Sequence, residues 1–225
     1  ALQGAIGLSG RYRSEDGSPE VTTELVLEDA RIGSHRLHFD RAQIRLQHGA
    51  LLLDLALRDA TATEAVTVTG QVPLDSREPL DVRVLSSGDG LRFLTGFTDD
   101  RLAWVSGDAR LRLILSGSLA APEANGFLVL KDGGFDLEKQ EIRDFNTSVV
   151  FDFNRLQVES LQARIGENGR IEGLGALGLL ADSQESDPLS FAVRKARLNL
   201  PIAKVGITAD LTVTGALVRP RLGGT

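Results

Sequence analysis

The chain has 225 residues, 42% hydrophobic and 25% charged, with a formal net charge of −6. That length suits one large all-β domain or two ordinary ones, and the composition is that of a folded chain, not a disordered one. The acidic balance and the lack of a long basic tract disfavour a nucleic-acid surface, and the absence of cysteine excludes disulfides, thiolate metal sites and cysteine nucleophiles.

No apolar run reaches the roughly 18 residues that a bilayer-spanning helix needs. The opening Ala1-Leu2-Gln3-Gly4 has neither a basic start nor a signal-like apolar core, and the chain reads as a piece of a longer polypeptide. Residues 1–10 hold one weak strand carrying Ile6 and Leu8, and residues 11–19 read as a polar link bending at Asp16-Gly17. Leu25 and Leu27 then alternate with polar neighbours, as do Leu37 and Phe39, and Ile44 and Leu46. Leu51, Leu53, Leu55 and Leu57 form an apolar row with Asp54 and Arg58 opposite, the period of two of a half-buried strand. Val66 and Val68 lead to Gly70, residues 73–79 read as a loop, and Leu80, Val82 and Val84 make another strand.

The period changes between residues 88 and 100, where Leu91, Leu94 and Phe97 stand at helical spacing behind Asp89. This predicts a single short helix near 89–97, N-capped by Asp89, that closes an apolar face. Trp104, beside Gly107, is expected to anchor packing. Leu111, Leu113 and Leu115 alternate with Arg110 and Arg112; after a break from Gly117 to Pro122 the pattern resumes in Leu128 and Leu130, and Asp132-Gly133-Gly134 predicts a tight turn. Val149, Phe151 and Phe153 precede an Asn154-Arg155 turn, then Leu156 and Val158, then Leu161, Ala163 and Ile165. Asn168-Gly169 is a strong hairpin signal, and Gly173, Gly175 and Gly178 predict a bulge or sharp bend. Residues 181–188 are polar. Leu189, Phe191 and Val193, then Ala196, Leu198 and Leu200, then Ile207, Ala209, Leu211 and Val213 complete the series. The predicted class is all-β: a long curved or twisted sheet with one apolar side and one short helix.

The chain repeats itself. Pro19 is followed by Glu24-Leu25-Val26-Leu27-Glu28-Asp29, and Pro122 by Phe127-Leu128-Val129-Leu130-Lys131-Asp132, an offset of 122 − 19 = 103. Leu113-Ile114-Leu115-Ser116-Gly117 with Leu119 and Pro122 matches Leu211-Thr212-Val213-Thr214-Gly215 with Leu217 and Pro220, an offset of 220 − 122 = 98. Two β-repeats are expected, 1–121 and 122–225, in one continuous sheet. Leu111, Leu113 and Leu115 would continue into Leu128 and Leu130 as one wall. An apolar side of Leu, Val, Ile and Ala suits a dry sandwich core, which is its commoner use, and equally suits a wall for acyl chains.

No constellation carries chemistry. His35, His38 and His48, with Asp40 and Glu28 near by in sequence, are the conventional metal candidates; they lack metal-site spacings and read as exposed strand residues. The glycine pairs lack a phosphate-loop context, and no serine sits in a nucleophile elbow. The expectation is no catalytic residue, no metal and no cofactor.

Strand–Gly–x–Leu–x–x–Pro–x–x–x–Gly–strand, at Gly117-Ser118-Leu119-Ala120-Ala121-Pro122-Glu123-Ala124-Asn125-Gly126 and again at Gly215-Ala216-Leu217-Val218-Arg219-Pro220-Arg221-Leu222-Gly223-Gly224, resembles the TamB family of translocation and assembly module proteins. Phe145-Asn146-Thr147, Arg155-Leu156-Gln157-Val158-Glu159-Ser160-Leu161 and Gly169-Arg170-Ile171-Glu172-Gly173 are similar to that family's middle region. The resemblance implies an AsmA-like bridge-type lipid transfer protein, periplasmic and anchored to the inner membrane by a region absent from this chain. It also implies a hydrophobic β-groove that conducts phospholipid acyl chains to the outer membrane, and pairing with an outer-membrane assembly barrel through a region outside this chain. The lining expected is Leu25, Leu27, Leu37, Phe39, Ile44, Leu46, Leu51, Leu53, Leu55, Val66, Val68, Leu111, Leu113, Leu115, Leu128, Leu130, Val149, Phe151, Phe153, Leu156, Val158, Leu161, Ile165, Phe191, Val193, Ile207, Leu211 and Val213. The alternatives are a scaffold or chaperone for outer-membrane protein assembly, whose strand edges pair with client strands, and a dry-core β-repeat surface adhesin.

Overall fold

Wherever apolar and polar residues alternate in this chain, the backbone is extended. The computed structural model describes residues 2–15, 18–138, 140–180, 188–200, 203–217 and 219–224. They form β1 (Leu2–Glu15), β2 (Ser18–Ile32), β3 (His35–Gln47), β4 (Ala50–Asp59), β5 (Val66–Pro73), β6 (Asp81–Ser86), a 3₁₀ helix (Arg92–Thr98), β7 (Leu102–Gly117), β8 (Pro122–Leu137), β9 (Gln140–Asp152), β10 (Arg155–Ile165), β11 (Gly169–Gly178), β12 (Leu189–Leu200), β13 (Ala203–Ala216) and β14 (Arg219–Gly224). The protein is all-β, one open antiparallel sheet in which the strands follow one another in sequence order, with a single short helix among the described residues. The Asp16-Gly17 bend and the polar link 181–187 lie outside the described residues, as do the side chains of Leu198 and Leu200.

The chain divides into two compact units: residues 1–100 with 110–125, and residues 101–109 with 126–225. In the first, the apolar rows run straight across the strands. Ile44 faces Leu53, Leu53 faces Gly70, Gly70 faces Val82 and Val82 faces Leu115. One step along, Ala42, Leu55, Val68, Val84 and Leu113 make a parallel row. Gly70 has φ +132°, and a Cβ there would strike the Asp81 carbonyl, so only glycine lets β5 and β6 meet at this point.

In the second unit, Leu128 faces Val149, Val149 faces Val158 and Val158 faces Gly175, while Gly173 faces Phe191 and Phe191 faces Leu211. The predicted bend at Gly173 and Gly175 is present. Gly175 has φ +126°, a Cβ on it would meet Pro188 and Leu189 backbone, and the register of β10 on β11 shifts between Val158 and Leu161. Beyond this bend Gly178 touches β13 in a parallel pairing, which brings residues two strands apart into contact. Trp104 packs as expected, edge-on to Phe135 at 5.3 Å, with Phe135 edge-on to Phe145 at 5.4 Å.

Several expectations need correction. Residues 11–15 belong to β1, because Arg11, Tyr12 and Arg13 pair with Thr22, Val21 and Glu20 across the hairpin. Asp132-Gly133-Gly134 is not a turn: β8 runs through it, bulged where the register shifts on both sides of Gly133, with Asp132 left-handed at φ 51°. The helix is 3₁₀ and spans Arg92–Thr98 with Leu91 at its N-cap and no side-chain cap. Asp89 instead receives the backbone N–H groups of Thr63 and Glu64, each at 3.0 Å. At three residues per turn Leu94 and Phe97 share one edge, and that edge is outward, 45% and 63% exposed; Leu91, Phe93 and Thr95 are buried.

Candidate functional site

The expected lining residues fall into three environments. Leu37, Val66, Leu130, Val149, Val158, Ile165 and Val213 are buried. Leu25, Leu27, Phe39, Ile44, Leu46, Leu51, Leu53, Leu55, Val68, Leu111, Leu113, Leu115, Leu128, Phe151, Leu156, Leu161, Phe191, Val193 and Ile207 are half-buried. Leu211 is exposed although it stands in the row opposite Phe191. Phe153 is outside the rows: β9 ends at Asp152, and Phe153 occupies the following turn with φ 54° and 54% exposure. Val82, Val84, Ala42 and Leu57 complete the rows of the first unit; their alternation was visible in the sequence.

The two units differ in how the apolar side is treated. In the second, Val149, Val158, Leu177, Leu189 and Val213 form a buried cluster with Leu128, Phe151, Leu156, Leu161 and Phe191 packed around it, the product of the bend at Gly175. In the first, Leu51, Leu53, Leu55, Val68, Val84, Leu113 and Leu115 are adjacent by register and remain half-exposed. Aliphatic side chains inside a two-layer sandwich are close to fully buried; these keep partial contact with water, although Ala42 and Val82 in the same rows are buried.

The opposite side of the first unit is wet. Arg41 donates to Asp54 at 2.6 Å, and Arg58 grips Asp40 through two bonds of 2.8 and 2.9 Å. The Arg58 guanidinium holds the Asp40 carboxyl below the usual carboxylate range, assisted by the charge and hydrogen bond of His38 at 3.1 Å. A surface depression of about 860 Å³ lies in the second unit among Arg170, Glu172, Arg194, Lys195, Ile207 and Thr208. Its walls mix charged side chains with apolar surface, Ile207 among them.

A buried carboxylate stands on the apolar side. Asp59 continues the row of Leu53, Leu55 and Leu57 and faces Leu37, yet it is 1% exposed. His35 Nδ1 bonds its Oδ2, and the Thr61 amide and hydroxyl each donate to Oδ1 at 2.7 Å. Burial raises the pKa of this carboxyl; the Thr61 bonds and His35 outweigh that, so the net direction is downward. His35 Nε2 lies 3.0 Å from Thr95 Oγ1 on the helix. His35 is thus mostly enclosed, 13% exposed, and not the exposed strand residue expected. No local pattern around His35 announces this, because its partners lie 24 and 60 positions away. The order Thr95–His35–Asp59 is that of a nucleophilic relay. However, Thr95 is buried and its hydroxyl donates to the Arg92 carbonyl at 2.8 Å, so it ties the helix down and faces no substrate space.

Among the described residues no group of three histidine or acidic side chains can hold a metal, and no helix is long and apolar enough to cross a membrane. No protein-family model, curated protein or solved structure matches the chain.

Proposed function

We propose that this chain is a segment of a lipid conduit, in which the apolar side of the sheet shields phospholipid acyl chains between the inner and outer membranes. The carrying observation is the uncovered aliphatic band of the first unit, five strands wide from β3 to β7, with Leu53, Leu55, Val68, Val84, Leu113 and Leu115 half-exposed side by side. Leaving that band in water is costly. Each methylene removed from water gains about 0.8 kcal/mol, so six methylenes laid along the band gain about 5 kcal/mol. A wall of Leu and Val offers no hydrogen bond that would pin a lipid in one place, which suits passage. The sequence resemblance to TamB-type proteins supports the same reading and its periplasmic setting.

The buried cluster around Val158 and Leu189 favours a dry core for that part of the second unit. The conduit reading therefore places lipid first on the β3–β7 band. Lipid extraction tests it: protein purified in detergent-free buffer, extracted with organic solvent and analysed by mass spectrometry, is expected to yield phospholipid. Protein that yields none, and takes up none from phospholipid vesicles, has only a dry core.

A further inference from the structure

We infer that residues 87–101, which carry the 3₁₀ helix, are a lid over one end of the first unit's apolar band, latched by His35, Asp59 and Thr95; the inference rests on the conduit reading above. The strands β6 and β7 are antiparallel neighbours, with Ser86 facing Leu111. A few residues suffice to join such strands. The chain instead departs from the sheet and runs back across it. Gly90 lies against the Ser86 side chain on β6. Asp89 then takes the Thr63 and Glu64 amides, and Arg92 donates to the Thr61 carbonyl at 3.1 Å, both in the link between β4 and β5. Thr95 reaches His35 on β3, and Gly96 lies so close to the Ile32 carbonyl of β2 that a Cβ would overlap it. Asp100 finally accepts the Ser34 N–H at 2.8 Å.

What lies beneath is the apolar side itself. Ile32 faces His35, Leu37 faces Asp59, and Leu57 faces Val66, all in phase with the Leu51–Leu53–Leu55 row. Under the segment these residues are buried: Ile32, Leu37, Asp59, Val66 and Ser86 are each below one-tenth exposed. Further along the same strands Ile44, Leu46, Leu51, Leu53 and Val68 stay half-exposed, while Ala42 and Val82 are buried among them. The crossing segment covers the end of the band at which Ile32, Leu37 and Val66 are closed off from water.

The way it is held is that of a closure with a release. Its seat contains a buried carboxylate on the apolar side of the sheet, and His35 links that carboxylate to the helix. Its two roots are turned in the left-handed region, at Gly88 with φ 56° and at consecutive non-glycine residues Asp99 and Asp100 with φ 53° and 60°. Ser86 Oγ beneath it and Arg92 Nε within it are buried without a hydrogen-bond partner among the described residues. Such groups regain partners when the segment lifts.

The chain has no cysteine, so an introduced pair reports alone. In the double variant Ser34→Cys with Asp100→Cys, a disulfide fastens the C-terminal root of the lid to the β2–β3 turn. The readout is uptake of a pyrene-labelled phospholipid from phosphatidylcholine vesicles. The oxidised protein is expected to load at least tenfold more slowly than the same protein after reduction, with unaltered chain insensitive to both treatments. In a second arm, Thr95→Val, which removes the hydroxyl from the latch, is expected to load several-fold faster. Equal rates for the oxidised and reduced pair overturn the lid and leave the conduit reading standing, because both forms still load. No loading by the unaltered chain overturns the conduit reading, and the lid with it.

Discussion

Leu113 sits in the middle of the β3–β7 band, facing Val84, with its side chain half in water. An aspartate there removes apolar contact area and plants a charge where an acyl chain would lie. Leu113→Asp is expected to lower phospholipid uptake at least tenfold while costing the fold only about 1 kcal/mol, since the position is already half-exposed. Vesicle uptake and urea denaturation measured on the same preparation separate the two effects; uptake unchanged in a folded variant removes the band from the conduit. Asp59 behaves oppositely, as a residue the fold depends on. Its carboxyl titrates below the ordinary value of 3.8 in the folded chain, so the unfolded chain takes up the proton first as pH falls. Its stabilisation is complete above the unfolded value and is lost as pH falls through the folded one. Asp59→Asn is expected to cost about 3 kcal/mol at pH 7 by leaving His35 and Thr61 mismatched, and the gap to the unaltered chain should close below about pH 4. A gap that is the same at pH 7 and pH 3 would contradict this role. Asp59 ends an apolar row as a surface aspartate would; Thr61 is a local partner such as any turn aspartate can have, and His35, the partner that marks it out, meets it only through pairing of β3 with β4.

At the scale of elements, alternation was enough to locate strands, because a strand with one wet side must alternate. Ends and irregularities were another matter. Phe153 continues the spacing of Val149 and Phe151 but stands in a turn, since period two does not say where pairing stops. Asp132-Gly133-Gly134 carries turn residues, yet those same backbone freedoms serve a bulge when flanking residues still have partners in β9. Leu91, Leu94 and Phe97 at intervals of three read as one buried stripe; Leu91, at the N-cap, is buried, but within the 3₁₀ helix Leu94 and Phe97 line up on an edge that faces outward. Glycines within strands were legible as bends, and they give a paired prediction. Gly70→Ala forces a Cβ against the Asp81 carbonyl at φ +132° and is expected to cost about 2–3 kcal/mol. Gly206→Ala on β13 meets nothing within 4 Å and is expected to leave stability unchanged or raise it by about 0.5 kcal/mol. Urea midpoints of the two variants decide between them.

At the scale of the whole chain, the prolines that mark the repeat in the sequence stand at like positions in their strands. Pro19, Pro122 and Pro220 each stand at the first or second position of a strand just after a hairpin, in β2, β8 and β14, where a missing N–H is tolerated. Gly117 and Gly215, which precede the second and third of these, both have positive φ, 73° and 91°. The repeat could not reveal that the two units treat their apolar sides differently, because both are written in Leu and Val and the difference arises from the bend at Gly175 and the contact of β11 with β13. That difference predicts where lipid goes. A phospholipid carrying a diazirine on its acyl chain, loaded from vesicles and activated by light, is expected to label tryptic peptides containing Leu53, Leu55, Val84 and Leu113. Peptides containing Val158 and Leu189 should stay unlabelled, since those side chains are closed over by one another. The same cluster should give the slowest amide exchange in the second unit, with or without lipid, because a dry core exchanges only by opening. Labelling concentrated on Val158 and Leu189 would mean that this cluster opens to admit the chain and that the lipid path runs through the second unit first.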